Sequence, residues 1–228
     1  LKHLESEERL NYLAYFDAIT GLPNRDLFRE RLGRRLADAR HDRKAFSVIM
    51  LDLDRFAAVN ETLGRQAGDE LLRQFARRLE QALEETDVSA RLADDRFGIV
   101  TRSVDDSTEV AHLIERILHD IQAQPFRVDG DELRVAARAG MASFPADGED
   151  GDGLYRNAEA ALKKAKISGD KYLFYTAELN ARVSENLMLE NKLRQALERK
   201  ELALHYQPKL DLKTGRISGL EALMRWND

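Results

Sequence analysis

Apolar residues recur along the chain with two different periods, and the switches between those periods mark out its elements. Leu4, Leu10, Leu13 and Phe16 make an imperfect helical stripe over residues 4–16. The stripe opens without a cap, the pattern of a helix that continues upstream. A turn follows at Thr20, Gly21, Leu22 and Pro23, and Asn24 stands ready to cap a helix over about 25–41. Leu27, Phe28, Leu32 and Leu36 share a face of that helix. Residues 45–53 are almost continuously apolar, which predicts a strand buried on both faces and central in its sheet. After Gly68, the residues Leu71, Leu72, Phe75, Leu79, Ala82 and Leu83 recur at helical spacing. Two short segments, 88–92 and 97–101, read as a hairpin around Ala93, Asp94, Asp95 and Arg96. Asp106 and Glu109 have capping-box spacing before a helix that turns Val110, Leu113, Ile114, Ile117 and Ile121 inward. Asp129-Gly130 marks a second hairpin, whose second strand is predicted from 133 to about 143. A helix over about 153–168 and a strand over 171–175 complete the unit. The order β-α-β-β-α-β-β-α-β predicts an α+β fold, a largely antiparallel sheet flanked by helices.

From 176 to about 199 the pattern becomes one long helix, with Leu179, Val183, Leu187, Leu193 and Leu197 in line. At 1.5 Å per residue that is a rod of roughly 33 Å. It leads into a last hairpin, 202–208 and 217–226, turning at Lys213, Thr214 and Gly215. A lone hairpin is not an independent domain.

Composition narrows the chemistry. The 228 residues hold 36 Lys and Arg against 41 Asp and Glu, a formal charge of −5. No overall basic field draws nucleic acid or anionic lipid, so no nucleic-acid partner is expected. With no cysteine, disulfides, thiolate catalysis and Cys-ligated zinc or iron–sulfur sites are excluded. The five histidines are scattered, no two at metal-ligand spacing. The longest apolar runs fall far below the roughly 20 residues that span a bilayer, and residues 1–10 are too polar for a signal peptide. The expected location is the cytoplasm, with a membrane-anchored full-length parent left open. If the chain is an enzyme, its chemistry rests on carboxylates, Lys or Arg, and a hard metal ion.

Asp52 and Asp54 stand two apart at the end of the central strand, so both side chains project to one face. Carboxylates gathered at a sheet end suit Mg²⁺, which takes oxygen ligands and shares its shell with substrate phosphates. The plain alternative is a solvated strand end. Asp94 and Asp95 form a second acidic pair at a hairpin tip, an ordinary turn when taken alone. A hairpin beside the central strand brings that pair toward Asp52.

These residues carry a resemblance. Asp17 and the run Thr20 to Arg25, then Leu51 to Phe56 with Asn60, Gly64, Gly68 and Asp69, resemble the GGDEF family of diguanylate cyclases. Ala139 to Pro145, Ala165-Lys166 and Tyr172 to Tyr175 extend the likeness over about residues 15–176. Tyr206-Gln207-Pro208, Asp211, Thr214-Gly215 and Leu220 to Trp226 resemble the start of the EAL family of cyclic-di-GMP phosphodiesterases. The implied division is an N-terminal signalling helix over 1–14, a GGDEF-like domain over 15–176, a linker helix over 177–200, and a truncated EAL opening over 201–228.

The resemblance implies a cyclase-type, ferredoxin-like sheet, and for the last segment the opening hairpin of a TIM-barrel-like domain. It also implies chemistry in which two GTP molecules join, the 3′-hydroxyl of one attacking the α-phosphate of the other. Each subunit of a homodimer would hold one GTP. Carried over by position, Asp52, the Leu53 carbonyl and Asp95 are implied ligands of Mg²⁺. Asn60 and Asp69 are implied to bind guanine, and Lys166 to bind phosphate. In the EAL part Glu221 matches a metal ligand, and Gln207 and Arg225 match residues that contact the dinucleotide. The implied partners are the remainder of an EAL domain on the C-terminal side and a sensory domain on the N-terminal side.

Departures from the family pattern gather where the chemistry happens. The five signature positions read Ala93, Asp94, Asp95, Arg96 and Phe97. Ala93 and Asp94 replace two glycines, and Arg96 replaces an acid, where it is placed to act as a substitute phosphate cation. Ala57 and Asp170 stand where a lysine and an arginine are usual, and the product-binding Arg-x-x-Asp reads Glu84-x-x-Asp87. Side chains in place of glycine take the space a backbone needs to approach a nucleotide. Losing a single transition-state donor typically costs about 10²–10³ in rate. The expectation is a degenerate, non-cyclising GGDEF domain that regulates an attached EAL phosphodiesterase, with GTP and Mg²⁺ as ligands. An active diguanylate cyclase and a ligand-free dimerisation or relay scaffold are the alternatives.

Overall fold

The structure, a computed structural model, describes residues 12–102 and 107–226. Most of the first helical stripe, and Asp106 of the capping box, lie outside the described residues. In chain order the first elements are α1 (Arg25–Asp42), β1 (Phe46–Leu53), α2 (Phe56–Leu63), α3 (Arg65–Ala82), β2 (Val88–Ala93) and β3 (Arg96–Val100). Then come α4 (Ser107–Ala123), β4 (Phe126–Val128), β5 (Asp131–Leu133), β6 (Ala137–Phe144), α5 (Gly151–Ser168) and β7 (Tyr172–Phe174). The last are α6 (Ala177–Glu198), β8 (Leu202–Leu210) and β9 (Ile217–Trp226). The chain divides into two units, one through Ala181 and one from Arg182.

In the first unit all eight residues of β1 are buried, as a strand covered on both faces requires. The sheet order is β2-β3-β1-β6-β7, antiparallel except for the β6–β7 pair. On one face Phe28, Leu32 and Leu36 of α1 and Leu154, Ala158 and Leu162 of α5 pack on Phe46, Val48, Met50 and Ala142. On the other, Phe75 of α3 meets Phe97 of β3 with ring centroids 4.6 Å apart. The result is the α+β sandwich expected from the pattern. Asn24 accepts hydrogen bonds from the Asp26 and Leu27 amides and so starts α1. Asp129 and Gly130 both take positive φ, 50° and 90°, as a two-residue hairpin loop requires.

Several boundaries differ from the sequence expectation. Residues 56–63 form a helix of their own, α2, in which only Phe56 is buried. Its entry at Arg55 has a left-handed backbone and no side-chain cap, so neither periodicity nor capping announces it. The strand expected from 133 to about 143 is two strands. β5 pairs with β4 in a separate two-stranded sheet, and the β6 pairing with β1 begins only at Ala137, opposite Leu53. Because β1 ends there, the earlier residues have no central-sheet neighbour to pair with. Helix α5 starts at Gly151, where Asp150 caps it through the Gly153 amide.

The second unit holds the greater part of α6 and the β8–β9 hairpin. Met188, Leu189, Leu193 and Leu197 of α6 are exposed, while Ala196 is buried. The side chains of Leu179, Val183 and Leu187 lie outside the described residues. Among the described residues no helix is long and apolar enough to cross a membrane.

The tightest constraint is the approach of α5 to β6. A Cβ on Gly140 would lie 2.0 Å from the Leu162 nitrogen and 2.4 Å from the Ala158 carbonyl oxygen. These are backbone atoms of a packed helix, which cannot move aside as a flexible side chain does. Gly140→Ala is expected to cost about 3 kcal/mol or more and to lower the melting temperature by about 6–12 °C, measured by thermal unfolding of the full chain.

Candidate functional site

The pairing register builds the site. Asp52, the next-to-last residue of β1, stands opposite Arg96 on β3 and opposite Arg138 on β6. Directly opposed residues of antiparallel strands share a face, so Arg96, Asp52 and Arg138 form a row across the face that α5 covers. Lys166, in the last turn of α5, brings its Nζ to 2.6 Å from Asp52 Oδ1. Arg96 Nε lies 4.0 Å from Asp52 Oδ2, and the Arg96 guanidinium is also ion-paired with Glu159 of α5. The Asp52 side chain is only 4% exposed. Asp54 takes Arg138, whose Nε donates to its two oxygens at 3.0 and 3.2 Å. Arg138 Nη1 donates in turn to the Asp170 carbonyl at 3.1 Å, fastening the end of α5 to the sheet edge.

The hairpin tip is fixed from behind. Arg91 of β2 donates to the Asp94 carbonyl through Nε at 3.0 Å and Nη2 at 2.6 Å. Its Nη1 lies 3.0 Å from both oxygens of Asp17. Burial alone would raise the Asp17 pKa, but hydrogen bonds from Thr20 and the Arg91 guanidinium outweigh it, and the carboxyl is held below its ordinary value. Asp94 has φ +20°, at the edge of the region that favours glycine. The Asp95 carbonyl accepts from the Leu53 amide at 3.3 Å, which ties the tip to the end of β1. Burial first, then the negative charge of Asp52, pushes the Asp95 carboxyl above its ordinary value. Phe97 is wholly buried.

Asn60 and Asp69 lie on α2 and α3, the helical pair that leaves the end of β1 and turns at Gly64 with φ +86°. The Asn60 carboxamide rests on Gly68. A Cβ there would come 1.9 Å from Asn60 Oδ1. Both Asn60 and Asp69 are half-buried. Beside Asp54 and Arg138 opens a cavity of about 740 Å³, lined also by Arg55, Val59, Leu63 and Arg134.

The structure thus brings Asp52, Asp95, Arg96 and Lys166 into one cluster at the strand ends. Three residues of its framework went unnoticed in the sequence: Arg138, Glu159 and Arg91. Each is a charged residue inside an otherwise regular strand or helix, and only the register reveals its partner. Glu84 and Asp87 find their partners within the fold. Glu84 pairs with Arg102 at 3.1 Å, and Asp87 accepts from the Arg102 amide at 2.7 Å. On the last hairpin Gln207 stands opposite Glu221, and Arg225 lies opposite Ala203 on the same face, with Lys209 3.3 Å from Glu221. The other face presents Leu204, Tyr206, Leu220 and Met224, each more than half exposed.

For Mg²⁺ the available donors are the Asp52 and Asp95 carboxylates and the Leu53 carbonyl. They do not fit the ion well. One oxygen of Asp52 is bonded to an ammonium and the other faces a guanidinium. Among the described residues no three Asp, Glu or His side chains converge on a point that would hold a metal.

Comparison with known proteins agrees with this architecture. The family model described as diguanylate cyclase, GGDEF domain, matches residues 14–171, and that of the EAL domain matches residues 190–228. The bifunctional diguanylate cyclase/cyclic di-GMP phosphodiesterase MucR of Pseudomonas aeruginosa is 39% identical over 97% of this chain and 32% of its own length. The cyclic di-GMP phosphodiesterase PdeR of Escherichia coli is 37% identical over 97% of this chain and 33% of its own. The chain therefore spans about a third of the length of these curated relatives. Among solved structures, the GGDEF domain of TpbB (YfiN) from Pseudomonas aeruginosa superposes with a TM-score of 0.69 at 28% identity, covering 75% of this chain and 99% of that one. A sensory box/GGDEF family protein from Caulobacter crescentus gives 0.64 at 35% identity, covering 68% and 99%.

Asp95 generates a pH test. Its carboxyl binds a proton more tightly in the folded than in the unfolded chain. Stability therefore falls as pH rises from the ordinary carboxylate range through the raised folded value. Asp95→Asn removes that loss and is expected to raise the melting temperature at pH 7. The gap to the unaltered protein closes as pH is lowered into the carboxylate range. A lower melting temperature for the variant at pH 7 would contradict the assignment.

Proposed function

The chain belongs to the diguanylate cyclase GGDEF domain family, and from that premise we propose a domain that does not cyclise GTP. It acts instead as a guanine-nucleotide-responsive regulatory module for the EAL domain whose match begins at residue 190. The observation that carries this reading is the hairpin tip. Ala93 and Asp94 put side chains where a nucleotide would need bare backbone, and the Arg91 clamp on the Asp94 carbonyl resists the tip's retreat. Asp94 adds a carboxylate where phosphate charge would collect. Each lost transition-state contact is worth about 10²–10³ in rate, so several together remove useful turnover.

Recognition chemistry is better preserved than turnover chemistry. Guanine presents adjacent N–H donors that a carboxylate such as Asp69 can accept, and a carbonyl to which the Asn60 amide can donate. Lys166 supplies a cation for phosphate. A ligand biases a downstream domain only by its differential affinity for two arrangements of the protein. The continuous helix α6, Ala177–Glu198, is the covalent route between the GGDEF match and the hairpin. The ligand-free scaffold remains a second reading because of the exposed Met188, Leu189, Leu193 and Leu197 on α6, an apolar helix surface of the kind that packs on a partner.

Incubated with GTP and Mg²⁺, the chain is expected to yield no cyclic dinucleotide. Excess GTP, but not ATP, is expected to raise the melting temperature, with a stabilisation of about 2.7 kcal/mol at 100 times Kd. Asp69→Ala abolishes the rise. Gly68→Ala, which displaces the Asn60 carboxamide and crowds the buried Phe56 ring, weakens it. Cyclic-di-GMP in the product mixture would overturn the non-cyclising reading. A melting temperature indifferent to GTP would favour the scaffold.

A further inference from the structure

We propose that Arg96 and Lys166 together take the place of a divalent metal ion at Asp52, making the strand-end cluster a metal-free ionic site. Register alone sets Arg96 directly opposite Asp52 on the same face. Lys166 Nζ, 2.6 Å from Oδ1, and Arg96 Nε, 4.0 Å from Oδ2, then occupy the two sides of the carboxylate. Glu159 holds the outer edge of the Arg96 guanidinium, so the side chain is not free to swing away. Asp52, Glu159, Arg96 and Lys166 are neutral as a set. A divalent ion brought to Asp52 would sit within a few ångströms of two fixed cations, with Asp95 the nearest further carboxylate to compensate it among those described.

The consequence turns on a single position. With Glu at 96, the same register would set that carboxylate across from Asp52 and one residue from Asp95, and a cation from solution would be required. With Arg at 96 the protein carries its own cation. A phosphate group arriving here would meet the guanidinium and the ammonium directly, and its binding would not depend on Mg²⁺. The cluster forms whether or not the domain takes up GTP, so this inference stands apart from the nucleotide reading.

Two measurements on the 228-residue chain without nucleotide test it. The first is Mn²⁺ titration followed by electron paramagnetic resonance. The unaltered protein is expected to take up no Mn²⁺ at the strand-end site at millimolar concentration. Arg96→Glu is expected to gain a site that Asp52→Asn, added in the same background, removes. The second is thermal melting in EDTA. Asp52→Asn leaves Arg96 and Lys166 facing a neutral amide and is expected to lower the melting temperature by about 3 °C or more, allowing for the partial exposure of both cations. A vacant metal site would respond with the opposite sign, because removing one of two facing carboxylates relieves repulsion. Mn²⁺ binding by the unaltered protein that Asp52→Asn abolishes would overturn the proposal, as would a melting temperature unchanged or raised by Asp52→Asn in EDTA. Should Arg96→Glu fail to fold, the Asp52→Asn melt decides alone.

Discussion

A carboxylate buried at the end of a central strand has to find a positive partner, and Asp52 is such a group. Its side chain is 4% exposed, and a charge so far from water is tolerated only when paired and hydrogen-bonded. Much of the surrounding structure answers that need. The approach of α5 to the sheet at Gly140 carries Lys166 to Asp52. The antiparallel register carries Arg96 to the same place from the other side. Arg138, the third member of the row, turns to Asp54 and to the carbonyls at the end of α5, holding in place the helix end that delivers Lys166. The charges at this site therefore position one another through the backbone elements that bear them.

The hairpin tip is held by a similar set of charges. Asp94 stands at a strained backbone position and adds charge, yet its carbonyl is held by Arg91, which is anchored in turn on Asp17. On the proposed reading such a tip keeps its fold without the open backbone that nucleotide chemistry needs. Asn60 and Asp69 belong to the α2–α3 pair, where the Asn60 carboxamide packs on Gly68. On the proposed reading binding and turnover separate, since different elements would carry them.

The last hairpin shows a different kind of constraint. Gln207, Glu221 and Arg225 fall on one face, and an apolar set of Leu204, Tyr206, Leu220 and Met224 on the other. A two-sided sheet of two strands cannot cover its own apolar face. The alternation has the pattern of a strand pair whose apolar side is meant for other elements of a larger domain.

What the sequence by itself determined was the set of elements whose burial writes a clear period. These include the doubly buried β1, the stripe of α3, the Asn24 cap and the Asp129-Gly130 turn. It also carried the family likeness and every altered signature position, because those are matters of residue identity at fixed spacing. Helix α2 escaped it, since one buried residue in eight leaves no period to read. So did the break between β5 and β6, which exists because β1 stops at Leu53. The electrostatic meaning of Arg96 was decided only by the tertiary structure. Along the chain Arg96 is a charge reversal in a turn. Across the sheet it is the residue opposite Asp52, with Lys166 and Glu159 brought in by a helix some sixty to seventy residues away. Identity is local to the chain, but charge compensation depends on distance in space, and only the packed sheet and its covering helix set that distance.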